Sequence, residues 1–432
     1  MPVINRDSLK YLFARLGGYG ASSVVDALAA FVISVALGRL FGSAVLGDYV
    51  FAQGVGILVS LLIGLGVSHS LLVQSARGDG DRGRILRRAI RLTLALQGAG
   101  FLIGLLVVWI VVAGDRSQAH TYLFVLLPGL ATVSSVFFAY GAGCDQLQPY
   151  VGVRLGVAVS KVLLLCGFFL AGFSAVAFAQ LLICIESVGV FGGLWSIWRH
   201  HPAGLKGPWR FEREDLAWLR SSAHLGISQF VGQVTLRVDA VMIRLLLSRE
   251  AAGIYGAART LAAAPRVLEN ALLLALTPKQ GKAAKRGGSE LWSLTGRILG
   301  WVIALTALEI VILGVFAPYL VLGIYGPEYQ ESILPMRLLL FALPLTGSAV
   351  ILRSAAYCAD RAPAVTRVAL VVGAVNVIGN AALIPFFGLY GAVAASLFSL
   401  VIWSWGLARI VAEPLPTAAA PLAEESDAGD LS

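Results

Sequence analysis

The sequence predicts an all-α polytopic membrane protein with about twelve transmembrane helices, arranged as two pseudo-symmetric six-helix bundles around a central cavity. Three observations predict it. Hydrophobic residues make up 58% of the 432-residue chain and charged residues only 13%, where a soluble globular chain carries roughly 25% charge. Apolar runs of about 20 residues, long enough to cross a bilayer, recur from end to end. Short motifs in the first half return in the second at a nearly constant offset.

The apolar runs place spans near residues 12–40, 44–73, 92–113, 120–142, 150–171 and 174–198. The second set lies near 220–247, 251–277, 295–324, 333–357, 365–386 and 388–411. A transmembrane β-barrel needs alternating segments of about 10 residues, and the sequence lacks them. The first run continues without a small-residue cleavage site, so it is expected to stay as a span rather than be removed as a signal peptide.

The formal net charge of +9 sits in connections between apolar runs, which argues against nucleic acid as a partner. Alternate connections hold Arg82, Arg84, Arg87, Arg88 and Arg91, then Arg199, Lys206, Arg210 and Arg213, then Lys279, Lys282, Lys285 and Arg286. The intervening ones hold little more than Arg39, Arg116, Arg244, Arg249 and Arg337. This asymmetry predicts that both termini are cytoplasmic.

Four units follow: a bundle over 1–198, a cytoplasmic linker over 199–219, a bundle over 220–412 and a disordered cytoplasmic tail over 413–432. Trp209, Phe211, Leu216, Trp218 and Leu219 in and beside the linker fit either a short interfacial helix or a plain linker with aromatic anchors. The tail loses Lys and Arg and gains Pro, Ala and acids. Four scattered cysteines and five scattered histidines form no metal-ligand spacing, and no cofactor is expected.

Gly38-Arg39-Leu40-Phe41-Gly42-Ser43 with Gly47-Asp48-Tyr49 returns as Ile243-Arg244-Leu245-Leu246-Leu247-Ser248 with Gly253-Ile254-Tyr255, offset by 205 and 206 positions. Gly172-Phe173-Ser174-Ala175 returns as Gly388-Leu389-Tyr390-Gly391-Ala392, offset by about 216. Six spans per repeat is an even number. The halves therefore keep one orientation and are related by an axis near the membrane normal.

These motifs carry a family resemblance. Gly38-Arg39-Leu40-Phe41-Gly42 with Gly47-Asp48-Tyr49, Val238-Asp239 with Gly253-Ile254-Tyr255-Gly256, Leu322-Gly323-Ile324-Tyr325-Gly326-Pro327-Glu328-Tyr329, Asn376 with Asn380, and Ile384-Pro385-Phe386-Phe387-Gly388-Leu389-Tyr390-Gly391 stand in order. Over about residues 10–410 the chain resembles the polysaccharide-transport branch of the multidrug/oligosaccharidyl-lipid/polysaccharide exporter superfamily. The resemblance implies a flippase of the bacterial cytoplasmic (inner) membrane. It would carry an undecaprenyl-diphosphate-linked oligosaccharide from the cytoplasmic to the periplasmic leaflet by alternating access, for exopolysaccharide, capsule or O-antigen. It implies membrane lipid, a proton or sodium ion, and polysaccharide polymerase or export proteins as further partners.

Charges inside apolar spans are costly and mark bundle interiors or solute pathways. A diphosphate calls for cations, and Arg offers it a bidentate fork. The candidates for that role are Arg39, Arg237 and Arg244, with Lys161. Two of them have a plainer reading: Arg244 can snorkel to an interface, and Arg237 can pair with Asp239 or with another buried acid. Arg259 and Arg266 read as structural, the latter paired with Glu269. Among the acids Asp26, Glu186, Asp239, Glu269 and Glu309, the coupling candidates are Asp26 and Asp239, which lie on the first and seventh spans.

Two rival functions remain at this stage. An ion-coupled multidrug antiporter would need an acidic or apolar cavity. A polyprenyl-linked glycan polymerase or glycosyltransferase would need a sizeable outer loop with catalytic acids, and the expected outer loops are short. No enzymatic activity is expected.

Overall fold

A computed structural model describes residues 6–77, 81–113, 115–144, 148–169, 174–266 and 279–413, and among them every extended element is a helix. The first half holds α1 (Arg6–Gly64), α2 (Val67–Arg77), α3 (Arg82–Val112), α4 (Ala119–Phe124), α5 (Leu127–Gly143), α6 (Gln148–Phe169) and α7 (Ala175–His200). A single turn, α8 (Pro202–Leu205), lies in the linker. The second half holds α9 (Arg213–Leu246), α10 (Arg249–Ala262), α11 (Gly288–Ile324), α12 (Ile333–Leu340), α13 (Ala342–Cys358), α14 (Ala362–Phe387) and α15 (Leu389–Ala412). Eight helical stretches among the described residues are long and apolar enough to cross a membrane, and the protein is a multi-pass membrane protein. The expected tail and the later part of the eighth span lie outside the described residues.

The 59 residues of α1 hold two spans rather than one. Gly42 leaves helical geometry at φ +81°, ψ 177°. A straight helix would hold Asp26 and Leu61 about 50 Å apart at 1.5 Å per residue, yet both line one cavity. The chain therefore reverses at Gly42, where a glycine tolerates the positive φ. α10 begins at the equivalent place in the second half, where the Ser248 side chain caps it by accepting from the Ala251 amide at 3.1 Å.

This turn defines a far end of the molecule, opposite the end that bears the linker. The internal repeat becomes physical there. A Cβ on Gly47 would lie 1.8 Å from the Arg249 carbonyl oxygen, and a Cβ on Gly253 would lie 1.9 Å from that of Ser43. Gly47 and Gly253 are 206 positions apart, and so are their partners Ser43 and Arg249, so each contact is the image of the other across the pseudo-twofold axis. Glycine is required at both because the backbones of α1 and α10 touch.

No separate interfacial helix forms in the linker. α9 starts at Arg213, inside the expected 199–219 segment, with a capping box between Glu212 and Asp215. Leu216, Trp218 and Leu219 belong to its first turns. Trp218 is buried beside Val67, Leu71, Leu86 and Ile197, while Trp209 and Phe211 stay exposed. Arg88 and Arg91 of α3 hold this start in place: Arg88 donates to Asp215 at 2.7 Å and Glu214 at 2.8 Å, and Arg91 donates to Asp215 at 2.5 Å. Burial alone would raise the Asp215 carboxyl, but the Glu212 amide and the two guanidinium groups outweigh it and hold it below the usual carboxylate range.

Candidate functional site: a charged cavity in the first bundle

A cavity of about 490 Å³ opens among both legs of α1, α5, α6 and α7, with α9 of the second half closing one side. Its wall is mixed. Ile33, Ile57, Leu61, Phe137 and Val157 supply apolar surface, and Gln53, Thr132, Ser134, Ser135 and Gln233 supply hydrogen-bonding groups. The sequence led us to expect a central cavity between the bundles; this one lies mainly within the first.

Five charged residues line it: Asp26, Arg154, Lys161, Glu186 and Arg237. Arg154 Nε donates to Asp26 Oδ2 at 2.5 Å, and its guanidinium lies 5.0 Å from the Phe138 ring centroid. Lys161 Nζ pairs with Glu186 Oε1. Arg237 stands apart. Its Nε is buried and has no hydrogen-bond partner among the described residues. A buried donor without a partner costs about 1–3 kcal/mol, more when charged.

Arg237 does not pair with Asp239. Residues two apart on a helix project about 200° apart, and the two side chains serve opposite sides of α9. Asp239 faces the second bundle, where Tyr255 donates its hydroxyl at 2.6 Å and Arg259 Nη1 donates at 3.0 Å. A small void of about 40 Å³ adjoins this group, lined also by Arg266 and Ser396. The Glu269 expected to pair with Arg266 lies outside the described residues.

Two of the four cations expected at the diphosphate lie elsewhere. Arg39 is exposed at the far end and donates to the carbonyl oxygens of Gly323 and, at 2.6 Å, Ile324. There it caps the C-terminal end of α11, where a cation is favoured. Arg244 donates to Asp48 at 3.3 Å and to Gln118 at 2.8 Å. Neither lines the cavity. Asp26 and Asp239 lie on corresponding helices but not at corresponding depths. The repeat places Ser34 opposite Asp239, eight residues from Asp26, or about 12 Å along a helix.

Two charged residues gained a place that sequence reasoning did not give them. Arg154 was not among the candidate site residues, but α6 starts at Gln148 and carries it into the cavity. Asp48 read only as part of a repeated motif, yet it is fully buried and meets His120, Arg244 and Arg249. Its signal was its type: a carboxylate within an apolar span next to the glycine that marks the bundle contact.

No curated protein matches the sequence. Among solved structures the chain is similar to an inward-facing multidrug resistance MATE family transporter of the MOP superfamily, with a TM-score of 0.69 at 14% identity over 89% of this chain and 94% of that one. It is also similar to the lipid II flippase MurJ in an inward closed conformation, with a TM-score of 0.66 at 14% identity over 90% of this chain and 86% of that one. A third is a MOP superfamily transporter from Pyrococcus furiosus, described by the reverse polarity of its binding pocket, with a TM-score of 0.63 at 14% identity over 91% and 95% of the two chains. At such identities the likeness establishes a shared fold. Residues 17–282, more than half the chain, match the family described as polysaccharide biosynthesis protein. The chain belongs to that family, in the polysaccharide-transporter branch its motifs resemble.

Proposed function

We propose that the protein is a flippase for an undecaprenyl-diphosphate-linked oligosaccharide, moved from the cytoplasmic to the periplasmic leaflet by alternating access. The observation that carries this reading is Arg237, a half-buried cation whose buried Nε has no partner among the described residues and which lines a polar-walled cavity. The cargo has three chemistries: a polyprenyl tail that stays in lipid, an anionic diphosphate and a hydrated glycan. Moving the diphosphate through a low-dielectric interior is prohibitive without a counter-charge. Arg237 supplies that charge, with a fork that matches two phosphate oxygens. The Ser, Thr and Gln side chains of the wall suit sugar hydroxyls.

Lys161 and Arg154 are the reserve. Each is held by an acid and becomes available to the diphosphate if its partner takes a proton or turns aside. Asp239 and, second to it, Asp26 are the candidates for coupling to a proton or sodium gradient. The linker end is the cytoplasmic end in this reading, as the surplus of Arg and Lys there requires.

A multidrug antiporter of the same fold is the alternative. Organic cations favour a negative cavity, and this one holds three cations against two carboxylates. In cells that depend on this protein, Arg237→Ala is expected to stop glycan export while the protein stays in the membrane. Normal export by that variant would sink the reading.

A further inference from the structure

At the far end a single carboxylate joins the two bundles. Asp48 on α1 is fully buried. Its Oδ2 lies 3.1 Å from His120 Nε2 and accepts from Arg249 Nε at 3.0 Å and Nη2 at 2.5 Å. Its Oδ1 accepts from Arg244 Nε at 3.3 Å. Arg244 reaches on to Gln118 at 2.8 Å. Asp48, His120 and Gln118 belong to the first bundle, and Arg244 and Arg249 belong to the second. The neighbouring residue, Gly47, makes the backbone contact with α10 described above.

We infer that Asp48, Arg244 and Arg249 form a latch that locks the two bundles together at the far end and must part each time the cavity opens to that side. The inference rests on the alternating-access reading for the need to open, and on the cluster itself for the means. Packed small residues give two helices a close fit but no single release point. A buried carboxylate shared by two guanidinium groups does give one, because charge-assisted hydrogen bonds hold strongly while water is excluded and weaken sharply once it enters. Breaking the pairs in the dry state would strand the carboxylate, so the closed form is strongly held until the bundles separate as bodies. The apolar neighbours Phe51 and Phe124 keep the site dry: the Arg244 guanidinium stands 5.9 Å from the Phe51 ring, and His120 packs edge-on to Phe124 at 5.8 Å.

The same interface offers a way to test this. A Cβ built on Gly256 would lie 3.6 Å from the Cβ of Val50 across the two bundles, inside the range a disulfide needs. In a protein whose four native cysteines are replaced by alanine, Val50→Cys with Gly256→Cys should oxidise readily in membranes. The staple should abolish export, and reduction should restore it. Adding Asp48→Asn should slow formation of the disulfide about tenfold, since a charged hydrogen-bond network is worth more than 1.4 kcal/mol. An unchanged rate, or export that continues through the staple, would overturn the latch.

A second readout guards against poor folding of the stapled form. Gln53→Cys as the single thiol lines the cavity, and an impermeant maleimide added at the far end should label it faster in Asp48→Asn than in the parent. Equal labelling would also overturn the proposal. Neither thiol measurement needs the glycan, so a wrong substrate would leave both results standing and would appear only in the export assay.

Discussion

The cavity and the far-end cluster hold the same kinds of side chain, joined in different ways. In the cavity each acid is answered from its own bundle: Asp26 on α1 by Arg154 on α6, and Glu186 on α7 by Lys161 on α6. At the far end Asp48 is answered from across the pseudo-twofold, by Arg244 on α9 and Arg249 on α10. Pairs within a bundle survive a rigid-body separation of the bundles, whereas pairs between bundles do not. In the proposed flippase the first set therefore shapes and charges the binding site, and the second sets which conformation is held. Arg237 belongs to neither set. It comes from the second bundle, faces the cavity of the first, and its Nε has no partner among the described residues. In the proposed flippase it is the residue through which bound cargo would sense how the bundles stand.

The largest effect should fall on Arg237. Arg237→Ala should reduce export at least about 100-fold, and Arg237→Lys about tenfold, because a point charge remains but the fork is lost. Export rates normalised to the amount of protein in the membrane check this, and equal rates for Lys and Arg would mean that only charge matters.

Lys161 sharpens the comparison. Removing one member of a fully buried pair costs about 3–5 kcal/mol, and less for this half-buried one, while removing both is far milder. Lys161→Ala should therefore lower both protein amount and export, and Lys161→Ala with Glu186→Ala should recover most of each. A double variant that folds but still fails to export would make Lys161 a direct ligand of the cargo.

Gly47→Ala probes the closed far end by size alone. Its methyl would stand 1.8 Å from the Arg249 carbonyl, so the backbones must part, at a cost of about 1–3 kcal/mol as for overpacking. A melting temperature below that of the parent is expected in detergent; an unchanged value would show that the contact is not maintained.

The smallest effect concerns Asp215 at the linker end. Its folded pKa is depressed, so its contribution is present above the unfolded value of about 4 and fades as pH falls through the lower folded value. Asp215→Asn should cost about 1 kcal/mol at neutral pH. The gap between the two melting temperatures should close below about pH 4, and a gap independent of pH would place the effect in packing rather than charge.

The spans were readable because each is an apolar run of membrane length, and the repeat was readable because Gly47 and Gly253 cannot be replaced where two backbones touch. The partners of the charged residues were not readable. Asp48 and Arg249 are 201 positions apart, and no local pattern encodes such a pairing. The repeat itself misled in one respect. Arg39 and Arg244 are equivalent by position, yet the residue equivalent to Asp48 is Ile254. Arg244 therefore meets a carboxylate across the axis, while among the described residues Arg39 donates to the carbonyls of Gly323 and Ile324. Symmetry of the backbone survived in the sequence, and asymmetry of charge decided the roles.

The proposed function is the movement of a lipid-linked glycan between leaflets. The most direct measurement is the leaflet position of undecaprenyl-linked oligosaccharide in cells lacking the protein, read by cleavage with an impermeant glycosidase from each side of the membrane. Accumulation on the cytoplasmic face with loss of surface polysaccharide is the result this account predicts. Unchanged surface polysaccharide, with cells newly sensitive to organic cations, would contradict it and assign the cavity to drug export.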